Sequence, residues 1–195
     1  MFVEQIRKVL AQREKQVVTF HNHPLSPAAV LLPLFNKNGE YHMLLTKRTE
    51  TLMYHKGQIC FPGGARHESD EDLVHTALRE THEEIGVEPR DVDVLGELDS
   101  MGTITSNFLI TPYVGIIPYP YEFKVSYDEI ESIIEVPLVE LLDEKNCREE
   151  AYDLEGEILI GNVYDYQGNV IWGATARMLK QFLEIAYPGL DSSAK

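Results

Sequence analysis

Cysteine is almost missing from this chain. Only Cys60 and Cys147 occur in 195 residues, too few and too widely spaced to frame a secreted disulfide scaffold or a zinc site. Basic residues are scarce as well: 17 Lys and Arg stand against 32 Asp and Glu, a formal charge of −15. That balance argues against nucleic-acid polymers, whose affinity comes largely from basic side chains neutralising phosphates. It leaves small phosphorylated ligands open, because a bound cation and a few local basic groups reverse the field at one site. No apolar run approaches the roughly 20 residues needed to span a bilayer. Met1 to Lys15 alternates charged and apolar residues at helical spacing (Phe2, Ile6, Val9, Leu10), unlike a signal peptide. There is no internal repeat, low-complexity tract or break in composition. The expectation is a soluble, cytoplasmic chain with residues 1–195 in one domain, long enough to bury a core without disulfides.

What the chain does have is a dense acidic patch. Residues 79 to 87 read Arg-Glu-Thr-His-Glu-Glu-Ile-Gly-Val. At about 100° per residue, Glu80, Glu83 and Glu84 project from one side of a helix. Leu73, Val74, Ala77, Leu78 and Thr81 form its apolar stripe, with Glu80 and Glu84 at the margin, so these two should be partly desolvated. An unpaired buried carboxylate costs several kcal/mol. Arg79 answers for one of them, and the remaining charge asks for a hard divalent ion, which oxygen ligands suit. A solvated acidic helix face is the plain alternative. Upstream, Phe61-Pro62-Gly63-Gly64 follows the strand-like Gln58-Ile59-Cys60, and two adjacent glycines let a ligand approach the main chain. Ser69 is the expected helix N-cap, with Asp72 in the first turn, and Gly86 the expected stop.

The segment 64–87 resembles the signature of the Nudix hydrolases: a glycine, five residues, a glutamate, seven residues, then Arg-Glu-x-x-Glu-Glu-x-Gly and an aliphatic residue. Arg79, Glu80, Glu83, Glu84, Gly86 and Val87 match in place, and seven residues separate Glu71 from Arg79. Six residues rather than five lie between Gly64 and Glu71, so either the loop is longer by one or Asp70 fills the acidic role. Residues 44–64 are similar to an additional signature of the coenzyme A pyrophosphatase branch, through Leu44, Leu45, Thr46, Arg48, Gly57 and Phe61 to Gly64. Thr49 and Met53 depart from it. The stretch Ile171 to Ala176 is similar to the same branch.

The resemblance implies an α/β/α sandwich with a mixed sheet and hydrolysis of a diphosphate assisted by Mg2+ or Mn2+. For the coenzyme A branch the products are 4′-phosphopantetheine, free or acylated, and adenosine 3′,5′-bisphosphate. It further implies Glu80 and Glu84 as principal metal ligands, Glu83 assisting or ordering the water, the main-chain carbonyl near Gly64 completing the shell, and Arg79 fixing the glutamates. Arg48, Lys47, Gly57 and Gly63 are the expected substrate contacts. A general base would come from Glu122, Asp128, Glu129 or Glu131. Tyr113, Tyr119, Tyr121 and Phe123 are either core and rim aromatics or a stacking surface for adenine. His55, His67, His75 and His82 share no ligand spacing and read as surface residues. Alternatives are a Nudix hydrolase of ADP-ribose, NADH or a dinucleotide, and a non-catalytic nucleotide sensor. A homodimer is compatible with either.

Periodicity places an N-terminal helix and link over 1–27, a strand over Ala28–Phe35, a hairpin at Asn38-Gly39 returning through Tyr41–Thr46, and strands over Val92–Leu98 and Phe108–Ile117. Pro112 suggests an edge or a bulge in the last of these. A strand over Glu131–Val136 and a helical turn from Pro137 to Leu142 follow. A hairpin of Ile158–Tyr164 with Val170–Trp172 comes next, and a helix at 173–187 ends the series, with Ala176, Leu179, Phe182 and Leu183 on one face. Strands that alternate with helices and also pair as hairpins indicate a mixed sheet covered by helices.

Overall fold

The structure, a computed structural model, describes residues 1–19, 23–51, 56–103, 106–154 and 157–188. Helix α1 (Phe2–Gln12) is followed by strands β1 (Val17–Val18), β2 (Ser26–Lys37), β3 (Glu40–Arg48), β4 (Ile59–Cys60) and β5 (Gly63–Ala65), then by helix α2 (Leu73–Ile85). Strands β6 (Asp93–Glu97), β7 (Ser100–Gly102), β8 (Phe108–Ile116) and β9 (Ile130–Pro137) precede helix α3 (Leu138–Leu142). Strands β10 (Cys147–Leu154), β11 (Glu157–Tyr166) and β12 (Asn169–Ile171) lead to helix α4 (Gly173–Ala186). Strands β1 to β9 form one mixed sheet and β10–β12 a small antiparallel one.

The dense apolar run in β2 exists because that strand is buried on both faces. Ala29 and Leu31 pack with Ala77 and Tyr113, and Phe35 packs with Leu44, Ile85 and Val87, under α2. Val30, Leu32 and Leu34 point the other way, into a core with Ile6 and Leu10 of α1 and Ala176, Leu179, Phe182 and Leu183 of α4. Helices on both faces of a mixed sheet make the three-layer sandwich that the sequence implied.

The middle of the sheet is split. Strand β2 pairs in parallel with β8 along one side. Along the other it pairs with β3 only at Leu34–Lys37. The two strands then diverge, and residues 59–65 fill the wedge: β4 pairs with Thr46 and Lys47 of β3, Pro62 accepts from Leu31 N at 2.9 Å, and β5 pairs with Ala28–Val30. Gly63 and Gly64 therefore lie in a strand under α2, where the sequence suggested a turn.

Two further expectations need correction, and three strands were not anticipated. The N-cap is Asp72, whose carboxylate accepts from His75 N at 2.9 Å, while Ser69 Oγ lies 2.7 Å from His67 Nδ1. Pro112 is not on an edge, because β8 lies between β2 and the strands β6 and β7. Its carbonyl accepts from Leu98 N, so its missing N–H falls in the gap between those two short strands. Strands β1, β7 and β10 went unread; β10 opens Cys-Arg-Glu-Glu and lacks the apolar alternation that marks a half-buried strand.

Helix α2 ends where expected. Gly86 has φ +73°, and a Cβ there would sit 2.6 Å from Lys124 Cβ and 2.9 Å from Lys124 N. Gly86→Ala combines a left-handed backbone with that clash, so it should lower stability by more than about 1 kcal/mol. Urea denaturation checks this, and an unchanged midpoint would show that the segment around Lys124 does not clamp the helix end.

Candidate active site

Helix α2 approaches the sheet through small residues. Ala77 and Thr81 are fully buried, and the Thr81 hydroxyl donates to Ala77 O at 2.6 Å, so no side-chain bulk holds the helix away from β2 and β5. The consequence appears one residue along. A Cβ at position 64 would fall 2.6 Å from Glu80 Cδ and 2.7 and 2.8 Å from its two oxygens. The Glu80 carboxylate rests on bare main chain, an approach only glycine permits.

Glu84, one turn further, is 3% exposed. Its Oε1 accepts from Arg48 Nη1 at 3.2 Å and its Oε2 from Gly63 N at 3.3 Å. Burial pushes its pKa up to about 8, opposed by Arg48 and the Gly63 N–H and reinforced by the Glu80 and Glu129 charges. Burial likewise raises Glu80, against the pull of Arg79. Desolvation of these two carboxylates was expected from their place on the helix wheel. Glu83 is different: it lies largely in solvent and accepts from Arg79 Nη1 at 2.9 Å.

Arg79 organises the acids from one side. Its Nε and Nη2 donate to the two oxygens of Asp70 at 2.9 and 3.0 Å, and its Nη1 donates to Glu80 at 2.9 Å as well as to Glu83. Asp70 also accepts from His67 N and Thr76 Oγ1. These donors, Arg79 first, hold its carboxyl well below the usual carboxylate range.

On the other side, Arg48 spans Glu84 and Glu129, with Nη2 3.6 Å from Glu129 Oε2. Backbone contacts fix this second acid: Ser126 N donates to Glu84 O, Glu129 N donates to Ser126 O, and Thr49 N donates to Glu129 O. Of the four acids considered as a base, Glu129 is the one whose charge bears on both Glu80 and Glu84. Glu131 instead pairs with Lys47 at 2.7 Å. Lys47 alternates with Arg48 along β3, so the structure brings Arg48 to the carboxylates and directs Lys47 elsewhere. Gly57 sits in the turn ahead of β4, beside Glu50, and does not meet the carboxylates.

The aromatic residues resolve as core and rim. Tyr113 packs with Ala29 and Ala77, and the Tyr121 hydroxyl bridges Glu88 N and Asp91. Phe123 packs beside Tyr121, and Tyr119 stacks on Phe35 under Lys37. His67 and His75 pair with Ser69 and Asp72, and His82 lies near Glu88. His55 and Met53 fall outside the described residues.

Across the sheet from α2 lies a cleft of about 400 Å³ that Gly63 and Gly64 also border. It runs between β2, β4, the small sheet and the first turns of α4. Its lining includes the Cys60 thiol, which burial pushes up to about 11, making it a protonated wall rather than a nucleophile. Sequence reasoning missed this cleft, because β10 was unread and nothing local announces that β12 of the small sheet meets β4.

A family model described as the NUDIX domain matches residues 25–149. A protein named uncharacterized Nudix hydrolase NudL from Cronobacter sakazakii is 39% identical over 159 residues, 79% of each chain. The chain belongs to the Nudix hydrolases. NudL of Photorhabdus laumondii is 34% identical across 94% of this chain and 95% of its own. Among solved structures, a MutT/nudix family protein from Enterococcus faecalis aligns with a TM-score of 0.54 at 16% identity, covering 90% of this chain and 66% of its own. The Caenorhabditis elegans Ap4A hydrolase binary complex aligns with a TM-score of 0.50 at 18% identity, covering 60% and 84%. At those identities the likeness is one of fold.

In this Nudix hydrolase the acid of the loop that Arg79 holds is Asp70. Its side chain is 4% exposed and clasped by Arg79, whereas that of Glu71 is 84% exposed. Asp70 keeps the five-residue spacing from Gly64, and the extra residue enters between Asp70 and the helix. Among the described residues no three carboxylate, imidazole or thiol groups are gathered into a ready metal cage; arginines stand between the acids instead. The donors nevertheless suit a hard cation: two desolvated carboxylates, one of them seated on the Gly64 main chain, in a charge field that leaves Glu84 hard to ionise.

Asp70→Asn should cost about 2 kcal/mol or more, because it unpairs a buried guanidinium contact, while Glu71→Gln should stay within about 0.5 kcal/mol. The Asp70 pKa is depressed in the fold, so its contribution is present above the unfolded value of about 4 and is lost as pH falls through the folded value. Denaturant midpoints at neutral and acid pH check both. Equal effects of the two substitutions would contradict the assignment.

Proposed function

We propose that this Nudix hydrolase cleaves the diphosphate of coenzyme A or its thioesters, adding water across the P–O–P bond to give 4′-phosphopantetheine, free or acylated, and adenosine 3′,5′-bisphosphate. The observation that carries the reading is the Glu80 carboxylate lying on the Gly64 main chain beside the buried Glu84. The branch is supported by Leu44, Leu45, Thr46, Arg48, Gly57 and Phe61 to Gly64, and by the 171–176 stretch.

Glu80, Glu84 and the Gly64 carbonyl would hold Mg2+ or Mn2+, which when bound neutralises phosphate charge and lowers the pKa of water. The rest falls to the chain itself. Arg79 locks the Glu80 and Glu83 rotamers through Asp70, a contact that keeps the ligands preorganised. Glu83, in solvent at the edge of the cluster, orients water. Glu129, held by main-chain bonds beside Arg48, accepts the proton of the attacking water. Arg48, at the end of β3 beside Glu84, offers a diphosphate oxygen a cationic partner. Gly63 presents main chain on the cleft side. Chemistry of this kind needs positioning and charge neutralisation rather than a protein nucleophile.

One experiment tests the reading. Purified protein with Mg2+ is given coenzyme A, an acyl thioester of it, ADP-ribose, NADH and a dinucleoside polyphosphate, with products read by mass spectrometry. Adenosine 3′,5′-bisphosphate from the coenzyme A forms should appear fastest, and Glu84→Gln should lower kcat by about a hundredfold or more with the circular-dichroism spectrum unchanged. Faster cleavage of ADP-ribose would move the enzyme to another branch, and full activity in Glu84→Gln would remove α2 from the chemistry.

A further inference from the structure

The cleft that begins at Gly63 and Gly64 differs in character from the rest of this acidic protein. Its volume of about 400 Å³ lies within the range of small-molecule sites. Among the described residues no Asp or Glu lines it, although the chain carries a net charge of −15; the charged residues in that lining are Arg48 and Arg177. The remaining wall is largely apolar, with Val30 and Ile110 from the main sheet, Leu159 and Ile160 from β11, and Trp172 and Met178 at the start of α4. Past the mouth the apolar surface continues. Ile158 and Ile160 project from β11 into solvent, and Trp172 is 44% exposed with its ring stacked near Tyr152. Large exposed apolar residues grouped beside a cleft mark an interaction surface.

We infer that this cleft is a subsite for the acyl chain of a thioester substrate, making acylated coenzyme A a better ligand than the free thiol. The inference rests on the coenzyme A reading above. A cleft whose described lining holds two arginines and no acid fits an anion, and the Leu159, Ile160, Trp172 and Met178 wall fits a hydrocarbon, so the ligand is an amphiphilic anion. Because Gly63 and Gly64 border both this cleft and the carboxylate cluster, the diphosphate and the chain belong to one extended molecule.

The chain has one tryptophan, and it lies in the wall, so its fluorescence reports occupancy without turnover. S-Acyl pantetheines from acetyl to octanoyl, which contain no diphosphate, are titrated into the protein. The emission of Trp172 should shift to shorter wavelength and saturate, with Kd falling up to about fourfold per added methylene, the transfer free energy of one CH2. Ile160→Asp, at an exposed position, should abolish the chain-length dependence and raise KM for octanoyl-coenzyme A more than for acetyl-coenzyme A. No spectral shift with any thioester, alongside hydrolysis of coenzyme A and its octanoyl form at equal KM, would overturn the subsite and leave the coenzyme A reading intact. A saturable shift with no coenzyme A form cleaved would overturn that reading and retain the cleft as an acyl subsite.

Discussion

A carboxylate pressed against a main chain that has no Cβ is the contact on which this structure depends. Glu80 reaches Gly64 only because α2 lies close to the sheet, and α2 lies close only because Ala77 and Thr81 face β2 and β5. Any larger residue at 64 would push the carboxylate out, and any larger residue at 77 would lift the helix carrying it. The acidic site and the packing beneath it are therefore one device. Desolvation follows from the same closeness, since a helix seated this tightly puts Glu84 inside the protein, where its charge calls for a cation.

Two arginines keep that charge in order from opposite sides. Arg79 draws Asp70, Glu80 and Glu83 together, and Arg48 ties Glu84 to Glu129. The two guanidiniums come from different elements, α2 and the end of β3. The acids thus join the helix to the sheet edge, and main-chain bonds through Ser126 bring the loop before β9 into register with both. The residues that fill the wedge between β2 and β3 do the complementary work on the other face, where Ile59 to Phe61, Gly63 and Gly64 line the cleft. The site has two sides, an anionic one under α2 and an apolar, arginine-bearing one toward α4, and Gly63 and Gly64 lie at the boundary.

Much of this was legible in the residues, for reasons that can be named. The sandwich could be read because β2 is a continuous apolar run and α4 repeats Ala176, Leu179, Phe182 and Leu183 at helical spacing. The desolvation of Glu80 and Glu84 could be read from their position beside Ala77. Other features depend on tertiary pairings that leave no local mark. Ser69 and Asp72 are both good caps by type, and only the folded loop shows Ser69 Oγ beside His67. The choice of Asp70 over Glu71 turns on which acid Arg79 reaches around the loop. Lys47 and Arg48 look equivalent in sequence, yet strand alternation sends one to Glu131 and the other to Glu84. The cleft was invisible, since it exists only where β11 and α4 pass over the split sheet.

The most direct test of this account is the anomalous scattering of manganese in crystals of the protein soaked with that ion. The account predicts a peak shared by the Glu80 and Glu84 carboxylates and the Gly64 carbonyl, with Arg79 still holding Asp70. Crystals that bind manganese elsewhere, or show none at those three oxygens while the protein remains active, would contradict it.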